Sequence, residues 1–187
     1  MAELTKAQRT AAELKDAARR LLVRKGYADM KITDIAEEAG KANGLFYRYF
    51  TDKPALLRAL VEDFRAVAAD EPPPSWDVRA HVEWYWRTYR AHLPEMLGIF
   101  QAALLHREFQ VAQRELRDRE VRCWARQVLA RRGDGDEAGA FATALGISCL
   151  LEFFCYTQFT GPGEPLADDV AIDTLTELVS SGLLANK

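Results

Sequence analysis

The chain has 187 residues, 49% hydrophobic and 28% charged, enough apolar material for one domain or for a small one and a larger one. Its formal net charge of −3 excludes a protein coated in cations for nucleic acid, yet the charge is unevenly divided. Residues 1–50 carry ten Lys and Arg against seven Asp and Glu, the rest fifteen against twenty-one, which suits a protein that touches phosphate at one end only.

The first helix is predicted from about Thr10 to Lys25, with Thr10-x-x-Glu13 as a capping box. Leu14, Ala17, Ala18, Leu21 and Leu22 form its buried stripe, and Gly26 ends it. Ile35, Ala36 and Ala39 mark one apolar face of a short second helix, which Gly40 ends sharply. Lys41, Ala42 and Asn43 make the bend, with Asn43 as N-cap of a third helix. Phe46 and Phe50 point inward, leaving Lys41, Asn43, Gly44, Leu45, Tyr47 and Arg48 largely outward, the pattern of a helix-turn-helix.

Asp52 caps the fourth helix, and Pro54 sits in its first turn, where proline loses no hydrogen bond. That helix runs through Leu56, Leu57, Leu60, Val61 and Phe64 toward Ala69, and the proline-rich stretch 71–75 breaks it. Further helices are expected at about 77–91, 94–105, 108–132, 137–159 and 169–184, with turns at 132–136 and 161–165. No stretch alternates with period two, so the fold class is all-α with about nine helices.

The ordered pattern Gly26-Tyr27, then Ile32-x-x-Ile35-Ala36-x-x-Ala39-Gly40, then Gly44-x-Phe46-Tyr47-x-Tyr49-Phe50-x-x-Lys53-x-x-Leu56, resembles the N-terminal domain of the tetracycline-repressor (TetR) family. The resemblance covers about residues 8 to 60. It implies a DNA-binding domain at 1–53, a ligand-binding and dimerisation domain at 54–187, and a dimer through the last two long helices. It also implies a regulator, most simply a repressor, that reads a palindromic operator in double-stranded DNA and is released by a small molecule.

Three positions depart from the family: Lys31 stands where a capping Thr is usual, Lys41 where a small apolar residue is, and Ala42 lacks the usual Ser hydroxyl. By the resemblance, Tyr47, Tyr49 and Lys53 contact phosphate, and Arg48 can reach it as well. Lys31 and Thr33 add donors at the start of the second helix. Lys41, Asn43 and Leu45 are placed at base edges, as Lys can donate to guanine, Asn can pair with adenine and Leu can cover a thymine methyl. Gly44 lets the backbone approach closely. Tyr49 divides evenly between packing and phosphate, Thr33 could serve only as a cap, and a lone Lys such as Lys41 is ordinarily a solvated charge.

The run 138–159 carries a single charge, Glu152, and is apolar around most of its circumference. Its length could span a bilayer, but the central carboxylate and the missing basic flank downstream favour a helix buried on both sides, one of them by a second subunit. Ile172, Leu175, Leu178, Val179, Gly182 and Leu183 make a matching stripe for an intersubunit four-helix bundle. Cys123, Cys149 and Cys155 form no CxxC pair and read as buried reduced thiols, and a polar, charged start without a signal peptide completes the expectation of a cytoplasmic protein with no membrane partner.

Residues 76–159 are rich in aromatics, Trp76 and Trp84 among them, more than packing alone asks for. The expected effector pocket is walled by Trp84, Tyr89, Phe100, Leu104, Trp124, Phe153 and Tyr156, with His106, Cys123, Gln127, Cys149 and Glu152 as anchors. Glu152 must find a partner or stay protonated, the partner being a cationic or hydroxylated ligand or an Arg across the dimer. The three histidines make no metal-ligand spacing, and no HExxH, GxSxG or phosphate-binding loop is present, so neither an enzyme nor a cofactor or metal is expected. A regulator without an effector, and a helical carrier that has lost specific DNA binding, are the alternatives.

Overall fold

The computed structural model describes residues 5–67, 77–133 and 135–183. Trp76, the proline stretch 71–75 and the side chains of Gly182 and Leu183 lie outside that description. Among the described residues there are nine α-helices and no strand: α1 (Lys6–Asp29), α2 (Ile32–Glu38), α3 (Asn43–Phe46), α4 (Lys53–Val67), α5 (Val78–Ala91), α6 (Leu93–Ala103), α7 (Arg107–Arg132), α8 (Glu137–Thr160) and α9 (Asp168–Glu177). A π-helical turn, Leu178–Leu183, continues α9. The chain divides into two compact units, one drawn from Met1–Ala69 and His92–Val111, the other from Asp70–Ala91 and Ala112–Lys187.

In the first unit the predicted stripe of α1 is fully buried, from Leu14 to Leu22. The start of the helix is a correction to the sequence reading. The capping box is Thr5-x-x-Gln8: Gln8 Oε1 accepts from the Thr5 amide at 2.9 Å, and Thr5 Oγ1 accepts from the Gln8 amide at 3.3 Å. Thr10 instead lies buried inside the helix, its hydroxyl donating to the Lys6 carbonyl at 3.1 Å. Two Thr-x-x-(Glu/Gln) patterns five residues apart compete for the cap, and the outer one gains more than a full turn of helix.

Gly26 breaks the helical path of α1 as expected, at φ 78° and ψ 167°, and one further turn follows before Met30. A Cβ here would stand 2.9 Å from Gln101 Oε1, the atom that accepts the Tyr27 amide at 2.6 Å. At Gly40 (φ 64°) α2 closes with the paired bonds of a Schellman turn, Lys41 N–H to the Ala36 carbonyl at 2.8 Å and Gly40 N–H to the Glu37 carbonyl at 2.9 Å. Asn43 is the first residue of α3 and not its N-cap; Ala42 holds that place without a side-chain acceptor. Asp52 caps α4 as predicted, accepting the Ala55 amide at 2.7 Å.

Helix α6 packs on both α1 and α4. Gly98 allows it: a Cβ there would come within 2.8 Å of Leu57 Cδ1 and 3.2 Å of Leu22 Cδ1. Arg19 donates to the buried Glu95 at 2.6 Å, and Arg58 pairs with Glu108 at 2.6 Å. The sequence reading, which places 54–187 in one domain, has no signal for this attachment of α6 to α1.

In the second unit α5 packs on α8 and α9 around Val82, Trp86, Trp124, Ile147, Leu151 and Leu175. Ile172, Leu175 and Val179, expected on an intersubunit stripe, are thus already buried within the chain, and of that stripe Leu178 is exposed. Trp86 donates its indole N–H to Asp168 at 2.9 Å. Of the three free thiols only Cys155 is buried; Cys123 is half-buried and Cys149 exposed, against the expectation of three buried thiols. The apolar composition of α8 extends onto its outer side, where Phe141, Leu145, Cys149 and Phe153 stand exposed. Among the described residues α8 is thus covered on one side only.

Replacing Gly26 with Ala forces a side chain into a left-handed conformation and against Gln101. A loss of about 2 kcal/mol of stability is expected, measured as a lower urea midpoint with an unchanged m-value.

Candidate nucleic-acid interface and the polar interior of the second unit

Two of the three acidic side chains of α2, Asp34 and Glu38, are turned onto α1, while Glu37 is exposed. Glu38 accepts from Arg20 at 2.7 Å and from Arg24 at 2.6 Å, and Asp34 accepts from Lys25 at 3.1 Å. Asp34 also accepts the Lys31 backbone amide at 3.1 Å, the only half of a capping box open to a helix that begins at a lysine, since an ammonium accepts nothing. The hydrogen bond from the Lys31 amide, then that from Lys25, holds the Asp34 carboxyl below its ordinary range; those from Arg20 and then Arg24 do the same for Glu38. Facing solvent from α2, α3 and the turns beside them are Lys31, Thr33, Glu37, Gly40, Ala42, Asn43, Gly44, Tyr47 and Arg48. Tyr47 is 56% exposed with its ring edge against Phe46, whereas Phe46 and Phe50 are core, as their spacing predicts.

Leu45 and Tyr49 are half-buried. The two remaining cations of the predicted interface are engaged inside the unit. Lys41 pairs with Glu13 at 2.7 Å. Lys53 donates to the carbonyls of Tyr27 at 2.6 Å, Met30 at 2.9 Å and Ala28 at 3.4 Å, with its ammonium 4.4 Å from the centre of the Tyr27 ring. Burial lowers the Lys53 pKa from its ordinary value. No local pattern announces this capping of the end of α1 by a residue more than twenty positions away.

The twelve predicted pocket residues divide between the units. Phe100, Leu104 and His106 belong to the first, where Leu104 is exposed and the His106 ring meets Tyr27 edge-on at 5.8 Å. Trp84, Tyr89, Cys123, Trp124, Gln127, Cys149, Glu152, Phe153 and Tyr156 belong to the second. Tyr89 and Trp124 are buried; Trp84, Cys123, Gln127, Glu152 and Tyr156 are half-buried; Cys149 and Phe153 are exposed. Phe153 and Tyr156 stack at 6.2 Å. Glu152 has its arginine within the chain: Arg117 donates at 2.6 and 2.8 Å and Gln113 at 2.7 Å, which corrects the idea of a pair across a dimer.

The interior of this unit is more polar than the sequence suggests. Buried Glu120 accepts from the Trp124 indole at 2.7 Å and meets His81 Nε2 at 2.7 Å, a pairing hidden by 39 residues of separation. Tyr85 and Tyr89 lie one turn apart on α5, rings 6.3 Å apart, and Tyr89 stacks on Phe159 at 6.0 Å. Burial, then the neighbouring Glu152, Cys155 and Glu120, pushes the Tyr85 pKa well up. Burial, then Cys155 and Glu152, does so for Tyr89. Both phenols therefore stay protonated. Among the described residues no three His, Cys, Asp or Glu side chains converge to hold a metal.

Residues 14–60 match the family model described as bacterial regulatory proteins, tetR family. Over 173 residues the chain is 23% identical to the HTH-type transcriptional regulator EthR of Mycolicibacterium smegmatis, covering 86% of this chain and 80% of that protein. Among solved structures it is similar to a TetR-like transcriptional regulator from Rhodococcus sp. RHA1, with a TM-score of 0.74 and 19% identity over 98% of this chain and all of that one. It is also similar to a transcriptional regulator from Saccharomonospora viridis solved in complex with choline, with a TM-score of 0.69 and 20% identity over 93% of this chain and 97% of the other. The structural likenesses, at such identities, are likenesses of fold.

Exchanging Lys53 for Met keeps the aliphatic stem over Tyr27 and removes the donor from three carbonyls. Thermal or urea unfolding should show a loss of roughly 1–3 kcal/mol, whereas a residue serving only an external partner would leave stability unchanged.

Proposed function

The chain is a TetR-family transcriptional regulator with an N-terminal DNA-binding domain, and from that premise we propose that it is a ligand-released repressor that grips a palindromic operator as a homodimer. The observation that carries the DNA half is the outward set on α3 and the turn after it, Asn43, Gly44, Tyr47 and Arg48, beside a second helix that spends Asp34 and Glu38 on α1 and leaves Glu37 as its one exposed carboxylate. A single recognition helix reads only a few base pairs, so two copies related by a two-fold axis are needed for a specific site. Tyr47, Tyr49, Arg48, Lys31 and Thr33 bind phosphate and set register. Asn43 and Leu45 read base edges, joined by Lys41 once DNA draws it from Glu13, while Ala42 and Gly44 let the helix sit close. Lys53 supports this face from beneath and adds its charge to the attraction for phosphate.

The dimer forms through the exposed apolar stripe of α8, Phe141, Leu145, Cys149 and Phe153 at four-residue spacing, with Val170 and Leu178 beside α9 also exposed. A contiguous apolar strip of this kind is normally covered by a partner. The second unit takes an apolar or aromatic effector, a reading supported by its aromatic interior. The Saccharomonospora viridis neighbour, solved with choline, supports a small-molecule ligand in this fold but not that chemistry. Such a ligand releases DNA only by binding one conformation of the dimer better than the other. The setting is the cytoplasm.

Two measurements test this. Arg48→Ala should weaken binding across all DNA sequences and reduce the slope of log K against log salt by about 1, with stability unaltered; an unchanged slope would remove Arg48 from the phosphate contacts. Leu145→Asp should convert a sedimenting dimer to a folded monomer and abolish operator binding, and a persisting dimer would place the interface elsewhere.

A further inference from the structure

Within the second unit every buried ionised group found among the described residues is answered, yet two buried hydroxyls are not. Glu152 is held by Arg117 and Gln113, and Glu120 by His81 and Trp124. The Tyr89 hydroxyl and Ser148 Oγ have no hydrogen-bond partner, and both residues are 2% exposed. A buried hydroxyl without a partner loses its hydration and gains nothing in return, so folding alone gives no reason to keep either. Ser148 does not even donate to the carbonyl one turn back, the usual outlet for a helical serine, whereas Thr143 and Thr160 on the same helix do.

The two sit beside one face. Ser148 lies one turn before Glu152 and two turns before Cys155 on α8, and those are two of the groups near enough to influence the Tyr89 phenol. Between the levels of Ser148 and Cys155 the rise of an α-helix is about 10 Å, the length of a small organic molecule. Tyr89 stacks on Phe159, and Tyr85 is its neighbour one turn earlier on α5, so the same region offers ring faces. Burial above all keeps each phenol protonated as a donor, and the Glu152 carboxylate, which acts on both, disfavours an anion beside them.

We propose that Tyr89 and Ser148 are the polar anchors of the effector, and that the effector is a neutral apolar or aromatic molecule offering acceptor oxygen, such as a ketone, ester or lactone. This rests on the reading of the second unit as the effector-binding one. Acceptor oxygen satisfies both O–H groups at once, and its absence from a ligand leaves both stranded.

The test uses calorimetric titration of the full chain with four probes built on one body: 4-phenyl-2-butanone, butylbenzene, 4-phenylbutyrate and 3-phenylpropyltrimethylammonium. The ketone should bind about tenfold more tightly than the hydrocarbon. In Tyr89→Phe and in Ser148→Ala that preference should shrink, with hydrocarbon affinity held. Ligand-free, both variants should melt at or above the parent temperature, because each removes an unanswered hydroxyl; a lower melting temperature would mean a structural partner and overturn the assignment. Equal affinity for ketone and hydrocarbon, or tightest binding of the carboxylate or the ammonium ion, overturns the chemical class while leaving an effector site in place. Failure of all four to bind the parent protein overturns the inference together with the effector reading on which it rests.

Discussion

At the end of α1 the backbone turns at Gly26, and the groups this leaves without helical partners are answered by two side chains from far along the chain. Gln101 of α6 accepts the Tyr27 amide, and Lys53 at the head of α4 donates to the carbonyls of Tyr27, Ala28 and Met30. Gly26 is required twice over, for its positive φ and because any side chain there would strike Gln101. The order of the first unit follows from this junction. It fixes where α2 begins, holds the head of α4 against the end of α1, and makes α6 a structural member of the DNA-binding unit. A perturbation of α6 is thus felt directly at the turn from which the helix-turn-helix departs.

Local chemistry made much of this legible in advance. The Leu14 to Leu22 stripe, the glycine stops at Gly26 and Gly40, the Asp52 cap and the inward Phe46 and Phe50 each depend on neighbours within about one helical turn. The misplacements have local causes as well: Thr5 and Thr10 both offer a capping box, and Asn43 and Ala42 differ by one residue at the start of a single-turn helix. What could not be read were meetings across long stretches of chain. Lys53 with the Tyr27 carbonyl, Gln101 with the Tyr27 amide, and His81 with Glu120 are pairings of ordinary residues that carry no spacing signal. The pattern around Gly26, Gly40 and Tyr47 carried the family resemblance because it is continuous in sequence; the interior of the second unit is assembled from α5, α7 and α8 and left no such trace.

The two units distribute polarity in opposite ways. In the first, Asp34 and Glu38 of α2 are neutralised by arginines and a lysine of α1, and the outward face carries amide, phenol and guanidinium groups suited to phosphate and base edges beside the exposed Glu37. In the second, polar groups are drawn inside, where they cost stability unless answered, and apolar side chains such as Phe141 and Phe153 are left outside. An apolar exterior calls for a partner surface and a polar interior for a ligand, so the same inversion accounts for both proposed interactions.

The central claim is sequence-specific binding to DNA as a two-fold dimer. It is tested most directly by selecting bound fragments from a random duplex pool with the full chain, at physiological salt and in the presence of nonspecific competitor. The account predicts enrichment of a single motif with inverted half-sites whose centres are about one helical turn apart, or a multiple of it. Enrichment of one unpaired half-site, or of no motif through successive rounds, would contradict it.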